Sequence, residues 1–529
     1  MKSNKNIMKK LSVFFALVIL GSCASEHISN SDSAPEIQLN PESTIIGKTS
    51  DNGKTEAFLG IPFAQPPVGK LRWAPPEALN DVGHVFHAHH FAPACMQADR
   101  ITRWYKNVVK GFGGDPEVVI KPAVSEDCLY LNIWRPSFEE NKDKTYPVIV
   151  YIHGGSNKAG WSYEPNYIGH RMAEEKVIVI SVAYRLGAFG FFSHPAFEYS
   201  NFGLMDLVES LRWINKNIDA IGGDASRITV MGESAGAGNI DYLMAIPSSK
   251  GLFSRAIHQS SGSAIRNQAT REDHIPLGLK LSSELLGADG INVTQKLRDA
   301  EAEKVLAVSE KVYKGHYFDN AVDGKSVFET FTDTLKLEKL HPVDLLIGSN
   351  EHESLMYLDK TESVDNWLKN QLGIDNSDNL RKLLNVSSNK RDQLNVLATA
   401  SGFTCPALNL AKGVAATRDQ SWVYYFTRQR DGEMAESMGA YHGAELPYVF
   451  DTHDDWLPTS QIDRRLTKTM KNYWTNFAKT ADPNGLYLPN WPRFTVNSSK
   501  ILVIGNDISN ALHPSLELCE YLESRFATR

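Results

Sequence analysis

Apolar residues along this chain fall into two alternating patterns. Short runs that are apolar at nearly every position predict strands buried on both faces: 148–152 (VIVYI), 177–182 (VIVISV), 228–231 (ITVM), 345–348 (LLIG) and 423–426 (VYYF). Between them lie longer stretches of helix-like spacing, such as 204–218. Strand alternating with helix predicts an α/β fold, with a large, mostly parallel central sheet and helices on both faces. Residues 265–320 are charged and helix-prone with no clear strand, and are read as a cap or helical insertion. No polar linker is long enough to divide the body into separate domains.

The N-terminus breaks this pattern. Lys2, Lys5, Lys9 and Lys10, with no acid among them, precede an apolar run over 11–20 interrupted only by Ser12. A bilayer-spanning helix needs about twenty apolar residues. The shorter run therefore reads as an export signal: positive head, apolar middle, small residues at the end. That end, Leu20-Gly21-Ser22-Cys23, resembles the lipobox of bacterial lipoproteins. The resemblance implies cleavage before Cys23, lipidation of the Cys23 sulfur, and an exported, membrane-anchored protein. Ala24 in the next position favours the outer membrane of a two-membrane bacterium or the cell surface. The expected organisation is a lipoprotein signal peptide at 1–22, a flexible tether at 23–44 and one large domain at 45–529.

Charge and cysteine count sharpen this picture. The 529 residues carry a net charge of −7, which falls to −11 once the four lysines of 1–22 are removed. Nothing basic is available for gripping nucleic acid, and no such partner is expected. Of five cysteines, Cys23 is taken by the anchor, leaving Cys95, Cys128, Cys405 and Cys519. Four cysteines in an exported chain suggest two disulfides in one of three connectivities. Pairing nearest neighbours gives Cys95–Cys128 and Cys405–Cys519.

The strongest chemical signal is Gly232-Glu233-Ser234-Ala235-Gly236, a G-x-S-x-G motif. A predicted strand runs into it and an apolar, helix-compatible stretch, 237–246, runs out. That context is a nucleophile elbow, where a tight strand-to-helix turn needs small neighbours and projects the serine hydroxyl from its tip. The following helix N-terminus favours developing negative charge.

Several further segments carry a resemblance. Glu126-Asp127-Cys128-Leu129-Tyr130-Leu131-Asn132, Phe58-Leu59-Gly60-Ile61-Pro62-Phe63-Ala64 and Pro66-Pro67-Val68-Gly69-Lys70-Leu71-Arg72-Trp73 accompany Gly232-Glu233-Ser234-Ala235-Gly236-Ala237 in order. Together they make the body, roughly 45–525, similar to the type B carboxylesterase/cholinesterase family of α/β-hydrolases. The resemblance implies the α/β-hydrolase fold with helical insertions and a Ser, acid, His order along the chain. It places the base at His442, in His442-Gly443-Ala444-Glu445-Leu446-Pro447, and the acid at Glu353. There Ser354 replaces the family glycine; Glu351 is the rival acid, and His352 between them is read as a surface residue. The implied oxyanion donors are the amides of Gly155, Ser156 and Ala235, with Ser156 standing where relatives have Gly or Ala. Asn157 and Lys158 also depart from the family's aromatic continuation. The family's first disulfide corresponds to Cys95–Cys128, and Cys405–Cys519 resembles a third bridge of cholinesterases. Trp104, the tryptophan inside the first disulfide loop, has a different offset from the choline-binding one, and choline specificity is not expected.

The implied function is a serine carboxylesterase that hydrolyses small-molecule esters without a cofactor or metal. Two alternatives use the same fold. One is a non-catalytic, cholinesterase-like surface-binding module; the other is an acyltransferase or amidase with the same triad. His84, His87, His89 and His90 form a dense cluster but lack the cysteines or spaced acids of a metal site. They are read as a partly exposed β segment. The sequons at Asn292, Asn385 and Asn497 are read as chance matches, and nothing in the sequence specifies an oligomeric state.

Overall fold

The structure is a computed structural model. It describes residues 34–79, 81–137, 145–262, 268–287, 292–359, 361–375, 377–384, 389–418, 420–495 and 497–526. The body that begins at residue 35 is one compact unit.

Eleven strands form its main sheet: β1 (Lys48–Thr49), β2 (Thr55–Pro62), β3 (Tyr130–Pro136), β4 (Tyr146–Ile152), β5 (Ile178–Val182), β6 (Gly223–Glu233), β7 (Arg255–Gln259), β8 (Asp344–Asn350), β9 (Ser421–Phe426), β10 (Lys500–Ile504) and β11 (Ile508–Leu512). Their order is β11-β10-β9-β8-β7-β6-β4-β5-β3-β2-β1. From β10 to β5 every pairing is parallel. The edges are antiparallel: β11 on one side, and β3, β2 and β1 on the other. The order reverses at β4, which has β5 on one side and β6 on the other. Open parallel sheets bind ligands at such a reversal, beyond the carboxyl ends of the strands.

Side-chain alternation explains the layers. In β4, Val148, Val150 and Ile152 join one buried cluster while Ile149 and Tyr151 join another on the opposite face. Each face is then covered. Helix α1 (Phe202–Ile221) supplies Leu204, Leu207, Leu211, Ile214 and Ile218 to the first cluster. Helix α2 (Ala235–Leu243) adds Ile240 and Leu243 to the same side. Helix α3 (Gln461–Thr480) supplies Leu466, Met470, Tyr473, Trp474 and Phe477 to the other. Each fully buried aliphatic side chain contributes about 1.5–3 kcal/mol. The helix ends follow local chemistry. The Gly222 amide, at φ 86°, closes α1 on the Ile218 and Asp219 carbonyls. A capping box opens α3: the Ser460 hydroxyl accepts the Asp463 amide, and the Asp463 carboxylate accepts the Ser460 amide.

All five expected strands are present, each extended by one or more residues except 177–182, which begins at Ile178. The 265–320 region holds the helices Arg271–Leu286, Val293–Asp299 and Ala302–Val312 and no strand among its described residues. The tether needs correction. Residues Glu36–Asn40 and Ser43–Ile46 pair as antiparallel strands, because Ile37 and Ile45 alternate inward and are buried in the body's core. The folded body therefore reaches back to about residue 35, and the rest of the expected tether, with the signal peptide and Cys23, lies outside the described residues. Both disulfides have the nearest-neighbour pairing. Cys405–Cys519 spans 114 residues, a loop whose closure is worth about 4–5 kcal/mol by chain entropy. Among the described residues, no helix is long and apolar enough to cross a membrane.

Candidate active site

β6 delivers Ser234 into a turn with φ 56° and ψ −125°, and α2 begins at the next residue. A side chain in so sparsely populated a conformation costs about 1–3 kcal/mol and persists only where its surroundings enforce it. Here close packing enforces it. A Cβ on Gly236 would lie 2.1 Å from the Ile152 carbonyl oxygen, and one on Gly232 would lie 2.7 Å from the Gly236 carbonyl carbon. The Ser234 amide donates to the Gln259 carbonyl at 2.9 Å, which ties the turn to β7.

Two long loops bring partners to that serine. Beyond β9, residue 442 presents its imidazole with Nε2 2.7 Å from Ser234 Oγ and Nδ1 2.6 Å from Glu353 Oε2. With the proton on Nδ1, the ring donates to the carboxylate and accepts from the hydroxyl. Glu353, beyond β8, is completely buried and its other oxygen accepts the Asn350 amide at 2.6 Å. Phe403 packs against the imidazole at 5.1 Å between ring centres. A hydroxyl, an imidazole and a carboxylate in series can move a proton from oxygen to nitrogen and hold the resulting imidazolium.

The surroundings are rich in carboxyl groups. Glu233 Oε1 lies 3.2 Å from His442 Nε2 but accepts no hydrogen bond. Its burial pushes its pKa up to about 8, against the pull of the imidazole. Burial likewise raises Glu445 to about 7, with Glu353 adding to the effect. Its two oxygens accept from Gln259 Nε2 at 2.8 Å and Asn350 Nδ2 at 2.6 Å. For His442, burial favours the neutral ring, but the carboxylates of Glu233 and Glu353 outweigh it and raise the pKa to about 9.

The loop after β4 lies against the nucleophile: a Cβ on Gly154 would fall 2.9 Å from Ser234 Cβ. Gly155, Ser156 and Asn157 follow with φ of 101°, 60° and 53°. A Cβ on Gly155 would lie 1.8 Å from the Ala159 carbonyl oxygen, so only glycine fits. Among the described residues, neither the Gly155 nor the Ser156 amide donates to another backbone group. The first helical bond of α2 runs from the Gly238 amide to the Ser234 carbonyl, leaving the Ala235 amide ahead of the helical ladder. Loop and helix start thus carry amides without a backbone acceptor among the described residues, and the loop meets Ser234 at Gly154.

The structure separates the rival acids. Glu351 points elsewhere, with a side chain 37% exposed and 3.6 Å from His352. The surface reading of His352 is corrected: its side chain is only 20% exposed, and Nδ1 accepts the Ala440 amide at 3.2 Å. The close approach of Gly439 encloses it. Within the histidine cluster, Val85–His87 forms a short strand, exposed at Val85 and His87. Sequence reading missed Glu233, Glu445, Asn350 and Gln259 as parts of the site. Glu233 was within the serine motif and Glu445 three residues past His442, so proximity to the motifs was the available signal.

Residues 33–521 match the carboxylesterase family. The chain is 30% identical to the para-nitrobenzyl esterase of Bacillus subtilis (strain 168) over 494 residues, 89% of this chain and 95% of that protein. It is 28% identical to the fumonisin B1 esterase of Sphingopyxis macrogoltabida over 519 residues, 93% of this chain and 90% of that one. The solved carboxylesterase of Geobacillus stearothermophilus is similar with a TM-score of 0.78 at 26% identity, covering 92% of this chain and 99% of that one.

Proposed function

Because the chain belongs to the carboxylesterase family and is a serine carboxylic-ester hydrolase, we propose that Ser234, His442 and Glu353 carry out its chemistry. The observation that carries this reading is the continuous hydrogen-bond chain from Ser234 through His442 to Glu353, at 2.7 and 2.6 Å.

The steps follow from that chain. Ser234 Oγ attacks the ester carbonyl carbon as His442 Nε2 takes its proton. Glu353 keeps the Nδ1 proton in place and stabilises the imidazolium. The amides of Gly155, Ser156 and Ala235 receive the developing oxyanion; one such donor is worth about 10²–10³ in rate. The carbon–oxygen bond to the alcohol breaks, and His442 returns the proton to that oxygen. Water, deprotonated by the same imidazole, then attacks the acyl-enzyme and releases the acid and Ser234. The substrate is a small-molecule ester, and the chemistry needs no group beyond these side chains and amides.

Location is the second part of the reading. Export under the 1–22 signal and lipidation at Cys23 would hold the body at a membrane by a short leader. Globomycin, a signal-peptidase II inhibitor, should leave the precursor unprocessed in a diderm host, and Cys23→Ala should move the protein from the membrane to the soluble fraction. For the catalytic assignment the test is labelling by an organophosphate. One phosphoryl group per chain on Ser234 is expected, and an unlabelled Ser234 in folded protein refutes it.

A further inference from the structure

Three buried asparagines join parts of the site that lie far apart in the chain. Asn157 follows the Gly155-Ser156 loop directly and is 3% exposed. Its Oδ1 accepts from Asn239 Nδ2 at 2.9 Å, and its Nδ2 donates to the Phe318 carbonyl at 2.8 Å. Asn239 is completely buried on α2, five residues past Ser234, and its Oδ1 accepts from Asn320 Nδ2 at 2.7 Å. The row is directional. Asn157 and Asn239 have a partner on both oxygen and nitrogen and Asn320 has one on its nitrogen, so none of the three amides can flip or be exchanged for a carboxylate without facing oxygen to oxygen.

The row is also anchored at both ends. The Asn157 carbonyl accepts the Gly187 amide at 2.7 Å, and Tyr184 OH donates to the His153 carbonyl at 2.8 Å just before the loop. At the far end, the Asn201 side chain exchanges two hydrogen bonds of 2.8 Å with the backbone of Ala321. Buried amide networks of this kind rigidify their surroundings when satisfied. What they rigidify here is specific: one end of the Asn157–Asn239 bond belongs to the loop of Gly155 and Ser156, the other to the helix that starts at Ala235.

We propose that the row Asn157–Asn239–Asn320 holds the two halves of the oxyanion hole in register, with Asn157 and Asn239 as positioning residues for ester hydrolysis. The inference rests on the assignment of Gly155, Ser156 and Ala235 as oxyanion donors. Those donors come from segments about eighty residues apart in sequence, and oxyanion stabilisation tolerates only a few tenths of an ångström of misplacement. Asn157 and Asn239 set that distance by a direct side-chain bond, while Asn320 and Phe318 brace it from the insertion.

The test is made on the full protein with 4-nitrophenyl acetate and with an aryl trifluoromethyl ketone, whose adduct on Ser234 places an oxyanion in the hole. Asn157→Gly removes the amide yet keeps the φ of 53° unstrained. Asn239→Ala removes the partner, and the isosteric Asn239→Asp puts an oxygen in place of the donor, facing Asn157 Oδ1. Each should lower kcat about tenfold, leave KM within about twofold and weaken the ketone by about the same factor as kcat. The double variant Asn157→Gly/Asn239→Ala should lose far less than the product of the two single losses, because each single variant already breaks the bond between the two residues. Wild-type kcat and ketone affinity in all three, with only the melting temperature lowered, would overturn the proposal. If the wild-type enzyme hydrolyses the ester but binds the trifluoromethyl ketone no better than the matching methyl ketone, the oxyanion assignment itself falls, and the row's role with it.

Discussion

At the end of β8 the Glu353 carboxylate is met by donors: the Asn350 amide on one oxygen and His442 Nδ1 on the other. At the end of β6 the Glu233 carboxyl is nearly as enclosed, yet its Oε1 accepts nothing and sits 3.2 Å from the opposite ring nitrogen. The difference assigns their roles. A buried carboxylate that receives donors is held in place and can orient an imidazole; one without them is pushed toward its neutral form. Glu233 faces the nitrogen that must accept the serine proton, so its negative charge favours protonated His442 and opposes the ring's action as a base, and the burial that raises Glu233 limits that charge. Two strand ends thus supply one group that fixes the ring and one that tunes it.

Glu353→Gln is the sharpest way to break this contrast. The amide would donate to Nδ1 and force the wrong tautomer, so kcat should fall about 10⁴-fold in steady-state ester hydrolysis with the fold retained. A loss under tenfold would transfer the orienting role elsewhere. Glu351→Gln on the same loop is the control, and should keep kcat within about twofold because its side chain points away from His442.

The elbow around β6 should also resist change more than the loop after β8. Gly236→Ala places a methyl group 2.1 Å from the Ile152 carbonyl oxygen. Backbone must move to accept it, at about 1–3 kcal/mol, read as a lowered melting temperature together with a loss of kcat. An unchanged melting temperature would mean that the turn is not held by this contact.

These expectations also show what the sequence could and could not disclose. The parallel strands were legible because burial on both faces writes an uninterrupted apolar run. β3 was not, since it carries Asn132 and Arg135 in its buried interior. Arg135 is neutralised by Glu56 of β2 at 2.7 Å, and Asn132 accepts the Gly60 amide at 2.9 Å. Such compensation lies in a neighbouring strand and leaves no periodic trace. Ser234 could be read from its own turn. His442 and Glu353 needed a family resemblance, because His442 lies 208 residues from Ser234 and 89 from Glu353 along the chain. Nothing local marked Asn239 or Asn320, whose meaning lies only in their mutual contact.

Glu233→Gln tests the tuning role through pH. Ester hydrolysis requires neutral His442, so kcat/KM should rise with pH through the imidazole pKa. In the native site the carboxylates outweigh burial and raise that pKa to about 9. Removing the Glu233 charge removes part of what raises it, so the midpoint of the limb should move to lower pH by about one pH unit. At neutral pH the variant would then hold more of its base ready. A limb that stays in place would mean that Glu233 is already neutral over the whole working range, leaving Glu353 to hold the ring unaided.

The smallest effect should come from Ser354, the residue next to the acid. Its backbone lies at φ −102° and ψ −17°, an ordinary region that any residue adopts. Its substitution for glycine therefore carries no backbone strain, unlike a side chain at Gly155 or Gly236. Ser354→Gly should leave kcat within about twofold and change stability by about 0.5 kcal/mol or less, since an unstrained, non-core site loses little beyond some chain entropy. A tenfold change in kcat would show that the Ser354 side chain helps to set Glu353. The loop after β8 would then be as tightly specified as the elbow, and the contrast between the two strand ends would lie in their electrostatics alone.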